Sequence, residues 1–269
     1  MLLSGELGVP YVVSVHGLDA FFTRQVGGYA GTLCSRAASF VYRSARTVIC
    51  VSERVRDQIE CRPGTSDNTT VIYNGVDAAV FFPARREQTT HTILSVGNLI
   101  PIKSHELLIR ALAALRERYP QAQLEIIGEG PERGRLQKLA EELRVDGQVH
   151  FLGRQTRTQV AEAMRRCTIF ALPSRYEGLG CVYLEAMCSG KPVIACRGQG
   201  IDEVIQHGVN GWLVDPGNLK ELSESFALLL QQNGLRWRLG EAARQTAVHG
   251  YTLEHQAVRL TAVYRGCLS

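Results

Sequence analysis

No run of apolar residues in this 269-residue sequence approaches the ~20 that a helix needs to span a bilayer. None of the eight cysteines, at 34, 50, 61, 167, 181, 188, 196 and 267, has CxxC spacing. No Asp or His cluster with metal-ligand spacing stands out, so no metal site is expected. Lysine is absent before position 87, where arginine carries all the positive charge. That bias slightly favours phosphate or anionic-lipid contact, although a solvated basic face accounts for it more simply. A clustered basic stripe is missing too, and with a net charge of only +4 the sequence does not read as a nucleic-acid binder. There is no low-complexity tract and no solenoid repeat. Met1-Leu2-Leu3 passes at once into polar and glycine residues, unlike a secretory signal. Buried thiols in a reducing compartment follow as the reading of the cysteines, and the expected location is cytoplasmic, possible contact with the inner face of a membrane included.

What is present is a parallel α/β pattern. Apolar content is 45%, enough for one large domain or two modest ones. Short β-branched runs recur at 10–17, 47–52, 69–75, 92–97, 123–128, 148–153, 168–174 and 192–196. Runs apolar on both faces suit central strands of a parallel sheet covered by helices. Helical patterns lie between them. Over 104–118, Leu107, Leu108, Ala111, Leu112 and Leu115 share one face, with Ser104 expected as N-cap. Over 132–144, Leu136, Leu139, Ala140 and Leu143 do the same. Strand–helix repetition predicts two α/β units, with a linker near 78–91. The domains are expected at 1–84, 85–250 and a terminal helix at 251–269. About three strands precede the linker, which would leave an uncovered sheet edge. The expectation is therefore that strands normally preceding residue 1 are absent.

Parallel sheets bind ligands at the carboxyl ends of their strands, so the chemistry is sought in strand-to-helix turns. In SVGNLIPIKSHELLI (95–109), Lys103 stands just before a helix start, where a cation and backbone N–H groups can hold a phosphate. Taken singly, it is better explained as a solvated lysine. IIGEGPERG (126–134) is glycine-rich, but its third glycine comes one residue late for the dinucleotide fingerprint. It reads as a tight turn near a nucleotide pocket. The most specific segment is ALPSRYEGLGCVYLEAMCSGKPVIA (171–195). Gly178 and Gly180 would let backbone N–H groups approach a ligand. Glu177 and Glu185 are acceptor-only groups suited to sugar and ribose hydroxyls. Individually, a capping Glu177 or a surface Glu185 is as good an account.

SRYEGLGCVYLEAMCSGKPVIA resembles the Glu-x7-Glu signature of retaining glycosyltransferases of family 4, the group 1 glycosyl transferases. PYVVSVHGLD, VIYNGVD, SVGNLIPIK, IIGEGP, VHFLG and GVNGWLVDPGN have family counterparts in the same order. The resemblance implies a GT-B fold: two Rossmann-like domains, the N-terminal one incomplete here. It implies a donor site in the C-terminal domain, with Lys103 on the donor diphosphate, Gly128 in the nucleotide turn, and Phe151, Leu152 and Gly153 lining the base pocket through main chain. Glu177, with Gly178, Leu179 and Gly180, would hold the transferred sugar, and Glu185 the ribose. His16, otherwise a turn residue, becomes the group that reaches toward the donor sugar. Asp19 is expected to cap the next helix, Asp77 to fix the linker, and the terminal helix to cross back to the first domain. Asn98 departs from the pattern, because the family usually has an arginine there.

The reaction implied moves a hexosyl or N-acetylhexosaminyl group from a UDP- or GDP-linked donor to an acceptor hydroxyl, with retention. The acceptor would be lipid-linked or a glycan, in surface polysaccharide or glycolipid synthesis. Neither a cofactor nor a metal is implied. A phosphorylase is the first rival, and it would carry lysine-bound pyridoxal phosphate, to which nothing points. A non-catalytic nucleotide-sugar-binding fragment is the second.

Overall fold

The computed structural model describes residues 9–17, 28–61, 67–84 and 91–268. The capping role of Asp19 and positions 85–90 of the linker lie outside them. Two compact units are present: Met1–Gly75 with Glu177–Gly180 and Leu253–Ser269, and Val76–Tyr176 with Cys181–Thr252.

In the first unit, β1 (Val12–Val15), β2 (Thr47–Cys50) and β3 (Thr69–Val71) form a parallel sheet in the order β1-β2-β3. Helices α1 (Gly28–Ser44) and α2 (Glu53–Glu60) connect them. Ser52 is the N-cap of α2, its hydroxyl accepting from the Val55 N–H at 3.2 Å. Val48, Ile49, Val55 and Ile59 are fully or almost fully buried between sheet and helix. The terminal helix α9 (Leu253–Leu268) belongs to this unit, and the Gln256 side chain accepts from the Gly75 N–H at 2.8 Å.

The second unit is a six-stranded sheet in the order β6-β5-β4-β7-β8-β9, parallel throughout. Its strands are β4 (Thr92–Val96), β5 (Gln123–Ile127), β6 (Val149–Gly153), β7 (Ile169–Ala171), β8 (Val193–Cys196) and β9 (Trp212–Val214). Its helices are α3 (His105–Leu115), α4 (Arg133–Glu142), α5 (Arg157–Arg166), α6 (Cys181–Cys188), α7 (Leu219–Gln231) and α8 (Asn233–Gly250). Leu108, Leu112, Leu124, Ile126, Leu136 and Phe226 form part of one contiguous core, each such side chain contributing ~1.5–3 kcal/mol on burial. The Tyr119 hydroxyl donates to the Ala227 carbonyl at 3.1 Å and ties the segment after α3 to α7. α8 lies so close to the end of α6 that a Cβ on Gly240 would stand 2.2 Å from the Gly190 carbonyl oxygen.

The eight apolar runs coincide with eight strands, each shorter than its run, because Gly97, Pro173-Ser174 and Asn74-Gly75 leave the ladder to turn. β9 escapes the pattern because three residues between Gly211 and Asp215 show no period. Ser104 does stand at the N-cap position of α3, but its φ of 55° is left-handed and its side chain makes no capping bond, which corrects the expectation. Where the sequence places the first boundary after residue 84, the division by contacts falls at Gly75/Val76. Val76 bridges to Thr252, Phe81 is fully buried, and Asp77 accepts from the Ala79 N–H at 3.0 Å and pairs with Arg157 at 3.5 Å. None of the described helices is long and apolar enough to cross a membrane.

Candidate donor site and its family

β4 has β5 on one side and β7 on the other, both later in sequence. The winding therefore reverses at β4, and open α/β sheets bind ligands at the carboxyl edge beside such a reversal. Three successive turns interlock there. The Gly97 N–H donates to the Ile127 carbonyl at 2.9 Å, the Leu99 N–H to Glu129 at 2.9 Å, and the Gly128 N–H to Gly153 at 2.9 Å. Gly128 has a φ of 145°, and a Cβ on it would lie 2.0 Å from the Gly97 carbonyl oxygen. Its glycine is thus demanded by the neighbouring turn of the protein itself.

Asn98 is exposed and Lys103 half-buried on the turn between β4 and α3. Lys103 ends a single 3-10 turn, Pro101–Lys103, directly before Ser104 and α3. The segment after β7 is joined to this turn by the Arg175 N–H, which donates to the Ile102 carbonyl at 2.8 Å. Of the turn expected to line a base pocket, Leu152 is exposed and Phe151 and Gly153 half-buried. Their carbonyls are already engaged: Phe151 accepts from Arg133 at 3.4 Å, Leu152 from Gln155 at 2.6 Å, and Gly153 from Gly128. Recognition through this main chain has to use second lone pairs or N–H groups.

Glu185 lies on α6, which is anchored by the fully buried Tyr183. The Tyr183 hydroxyl donates to the Leu172 carbonyl at 2.6 Å, and its ring meets Phe170 edge-on with centroids 5.7 Å apart. Burial pushes the Glu185 carboxyl up to about 7, with Arg157 partly opposing the rise. A folded-state pKa raised above the ordinary 4.5 means the contribution to stability is full below pH 4.5 and is lost as pH rises through about 7. Wild type should therefore lose up to about 3 kcal/mol relative to Glu185→Gln between pH 4 and pH 8. Urea unfolding of both proteins at the two pH values checks this, and parallel behaviour would place Glu185 in solvent.

His16 and the loop Glu177–Gly180 belong to the first unit. His16 is exposed just beyond β1, with Nε2 3.1 Å from the Ser14 hydroxyl. Glu177 is 7% exposed and Leu179 1%. Gly178 packs on the backbone of His16, so that a Cβ would stand 2.4 Å from the His16 carbonyl oxygen. The Gly178 carbonyl accepts from the Ser52 hydroxyl at 2.6 Å. Gly178 is therefore required by protein packing, whatever its N–H does for a ligand. Gly180, with a φ of 80°, is the residue whose backbone a side chain would strain.

Within the second unit the structure gathers Asn98, Lys103, Gly128, Phe151, Leu152, Gly153 and Glu185 on one sheet edge, and within the first it sets His16 beside Gly178. His105 does not stand out in the sequence. It is 2% exposed, and neither ring nitrogen has a hydrogen-bond partner among protein atoms. The available signal was a polar residue on the apolar face of α3.

Residues 77–246 match the family model Glycosyl transferases group 1, and residues 1–80 match Glycosyltransferase Family 4. An uncharacterized glycosyltransferase of Methanocaldococcus jannaschii is 30% identical over 251 residues, covering 91% of this chain and 65% of that protein. Glycogen synthase of Mycobacterium tuberculosis is 31% identical over 263 residues, covering 95% of this chain and 63% of that protein. The chain thus spans somewhat less than two thirds of the length of these relatives. The crystal structure of Anabaena HepE with UDP and glucose superposes with a TM-score of 0.87 at 24% identity, over 97% of this chain and 73% of that one. The α/β fold with two parallel Rossmann-like sheets is that of the GT-B glycosyltransferases, and the chain belongs to the group 1 family of glycosyl transferases.

Proposed function

We propose that this protein transfers a hexosyl or N-acetylhexosaminyl group from a nucleoside-diphosphate donor to an acceptor hydroxyl with retention, as a family 4 enzyme. The observation that carries the reading is the switch point at β4. Lys103 follows β4, Glu185 follows β7, and the interlocked turns of Gly97, Gly128 and Gly153 complete the same edge. Lys103 and the first N–H groups of α3 stabilise the leaving diphosphate. Asn98 adds an amide donor where the resemblance leads one to expect a cation. Glu185 accepts from the ribose hydroxyls, and Glu177 from the transferred sugar. The departing phosphate takes the acceptor proton on the same face. The acceptor is a lipid-linked or glycan hydroxyl of surface polysaccharide or glycolipid synthesis, by family resemblance.

Calorimetry on Lys103→Ala tests the donor half. UDP or GDP should bind about 10- to 100-fold more weakly than to wild type, the worth of one charge-assisted contact at about 1.5–3 kcal/mol, and uridine or guanosine should bind unchanged. Equal losses for nucleotide and nucleoside would remove Lys103 from the phosphates.

A further inference from the structure

We propose that His105 is a further hydrogen-bond donor to the donor's diphosphate, reaching it across Gly97; this rests on the nucleotide-site reading above. His105 is the first residue of α3 and only 2% exposed, yet its Nδ1 and Nε2 meet no hydrogen-bonding protein atom. The buried hydroxyls of Ser95 and Ser104, on the strand before and the residue beside it, are in the same condition. An unsatisfied buried polar group costs about 1–3 kcal/mol, and buried groups of this kind call for an account in terms of ligand, water or function. Three together at one strand-to-helix turn, the turn that carries Asn98 and Lys103, make an incidental packing fault a poor account.

The geometry gives the ring a direction. A Cβ built on Gly97 would stand 3.8 Å from the His105 Cε1, 3.9 Å from Nε2 and 3.8 Å from the Leu172 Cδ1. The Nε2 edge therefore faces the Gly97 backbone, beside Leu172, and Gly97 has no side chain to stand over it. Burial, with the neighbouring Lys103 charge, holds the ring down at about 4. It is neutral at pH 7 and keeps one N–H. A neutral donor beneath the turn and a cation upon it would address the same anion without repelling each other.

Binding of UDP and of uridine to wild type, His105→Leu, His105→Gln, Gly97→Ala and the Gly97→Ala/His105→Leu double variant tests this, with GDP and guanosine in parallel. His105→Leu should weaken the nucleotide about tenfold and leave the nucleoside unchanged, and glutamine, which keeps an N–H donor, should restore most of the loss. Gly97 lies outside the left-handed region, so alanine fits its backbone. Its methyl group would stand over Nε2 and weaken the nucleotide in wild type, yet add nothing in the leucine background. The unfolding midpoint of His105→Leu should equal or exceed that of wild type, since an unsatisfied polar group is removed. Unchanged nucleotide affinity in His105→Leu, beside a loss in Lys103→Ala, overturns the role of His105 and leaves the nucleotide site standing. So does a nucleoside loss equal to the nucleotide loss, or a lowered unfolding midpoint. No binding of UDP or GDP by wild type overturns both readings.

Discussion

Replacing Glu177 with alanine should cut sugar transfer on the order of a hundredfold, about 2.7 kcal/mol of transition-state stabilisation, while nucleotide affinity stays within about twofold. The carboxylate stands in a prearranged position. Tyr176 before it is 3% exposed, Ser174 fully buried, and Gly178 after it is seated on the His16 backbone and held by Ser52. A group fixed in this way has little conformational freedom left to lose when a sugar arrives. A carboxylate hydrogen-bonded to hydroxyls of the transferred sugar acts most strongly when positive charge develops on that sugar, so it contributes to turnover more than to ground-state affinity. Steady-state turnover with a nucleotide-sugar panel, beside calorimetry with UDP and GDP, is the measurement. A variant retaining more than about a tenth of wild-type turnover, a loss below ~1.4 kcal/mol, would show that Glu177 does not touch the reacting sugar. Glu177→Gln refines the result, since it keeps the shape of the side chain and removes the charge.

Gly128→Ala should destabilise the second unit by about 3 kcal/mol or more, among the largest effects a single methyl group can have. Two independent causes act together. The φ of 145° lies in a region that side-chain-bearing residues avoid, and the added Cβ would meet the Gly97 carbonyl oxygen at 2.0 Å and its carbon at 2.8 Å. Both contacts are backbone atoms of the turn that carries Asn98, so no side chain can swing aside. Relief requires the β4 and β5 turns to separate, which breaks the Gly97–Ile127 and Leu99–Glu129 hydrogen bonds. Gly134 is the control: it lies within α4 with nothing within 4 Å of its Cβ position. Alanine there should be neutral or stabilise by up to ~1 kcal/mol. Urea midpoints of the two variants give the comparison. A loss below about 1 kcal/mol for Gly128→Ala, within the common range for point substitutions, would mean that the turns are not interlocked as described.

These two glycine positions also show how far the sequence reaches. IIGEGPERG reads as a tight turn from composition alone, because repeated glycine marks backbone that other residues resist. Which glycine is indispensable is another matter. That Gly128 meets Gly97 and Gly130 meets Leu99, while Gly134 meets nothing, depends on which turns become neighbours. Likewise Gly178 reads as a residue cleared for a ligand, whereas the obstacle is the His16 carbonyl 162 positions earlier in the chain (178 − 16).

By itself the sequence determined the alternation of strands and helices, the parallel sheets and the positions of the carboxylates and the lysine. These follow from local periodicity and from apolar runs long enough to register. Helix starts were less accessible. Ser104 is an N-cap by residue type, but its left-handed φ and uncapped hydroxyl arise from the 3-10 turn ahead of it, where main-chain bonds from Lys103 to Ile100 and from Ser104 to Pro101 close the loop. β9 was invisible because three residues carry no period; it exists because β8 offers it an edge to pair with. Only the tertiary structure decided the strand order that puts Lys103 and Glu185 on the two sides of one switch point, and only burial decided the chemistry of single groups. Glu185 is an ordinary helix carboxylate in sequence and a carboxyl raised to about 7 in the fold. His105 is an unremarked polar residue on an apolar stripe until Gly97 and Leu172 close around its ring. Desolvation is a property of the neighbours that surround a group, and the sequence names those neighbours without saying which will meet.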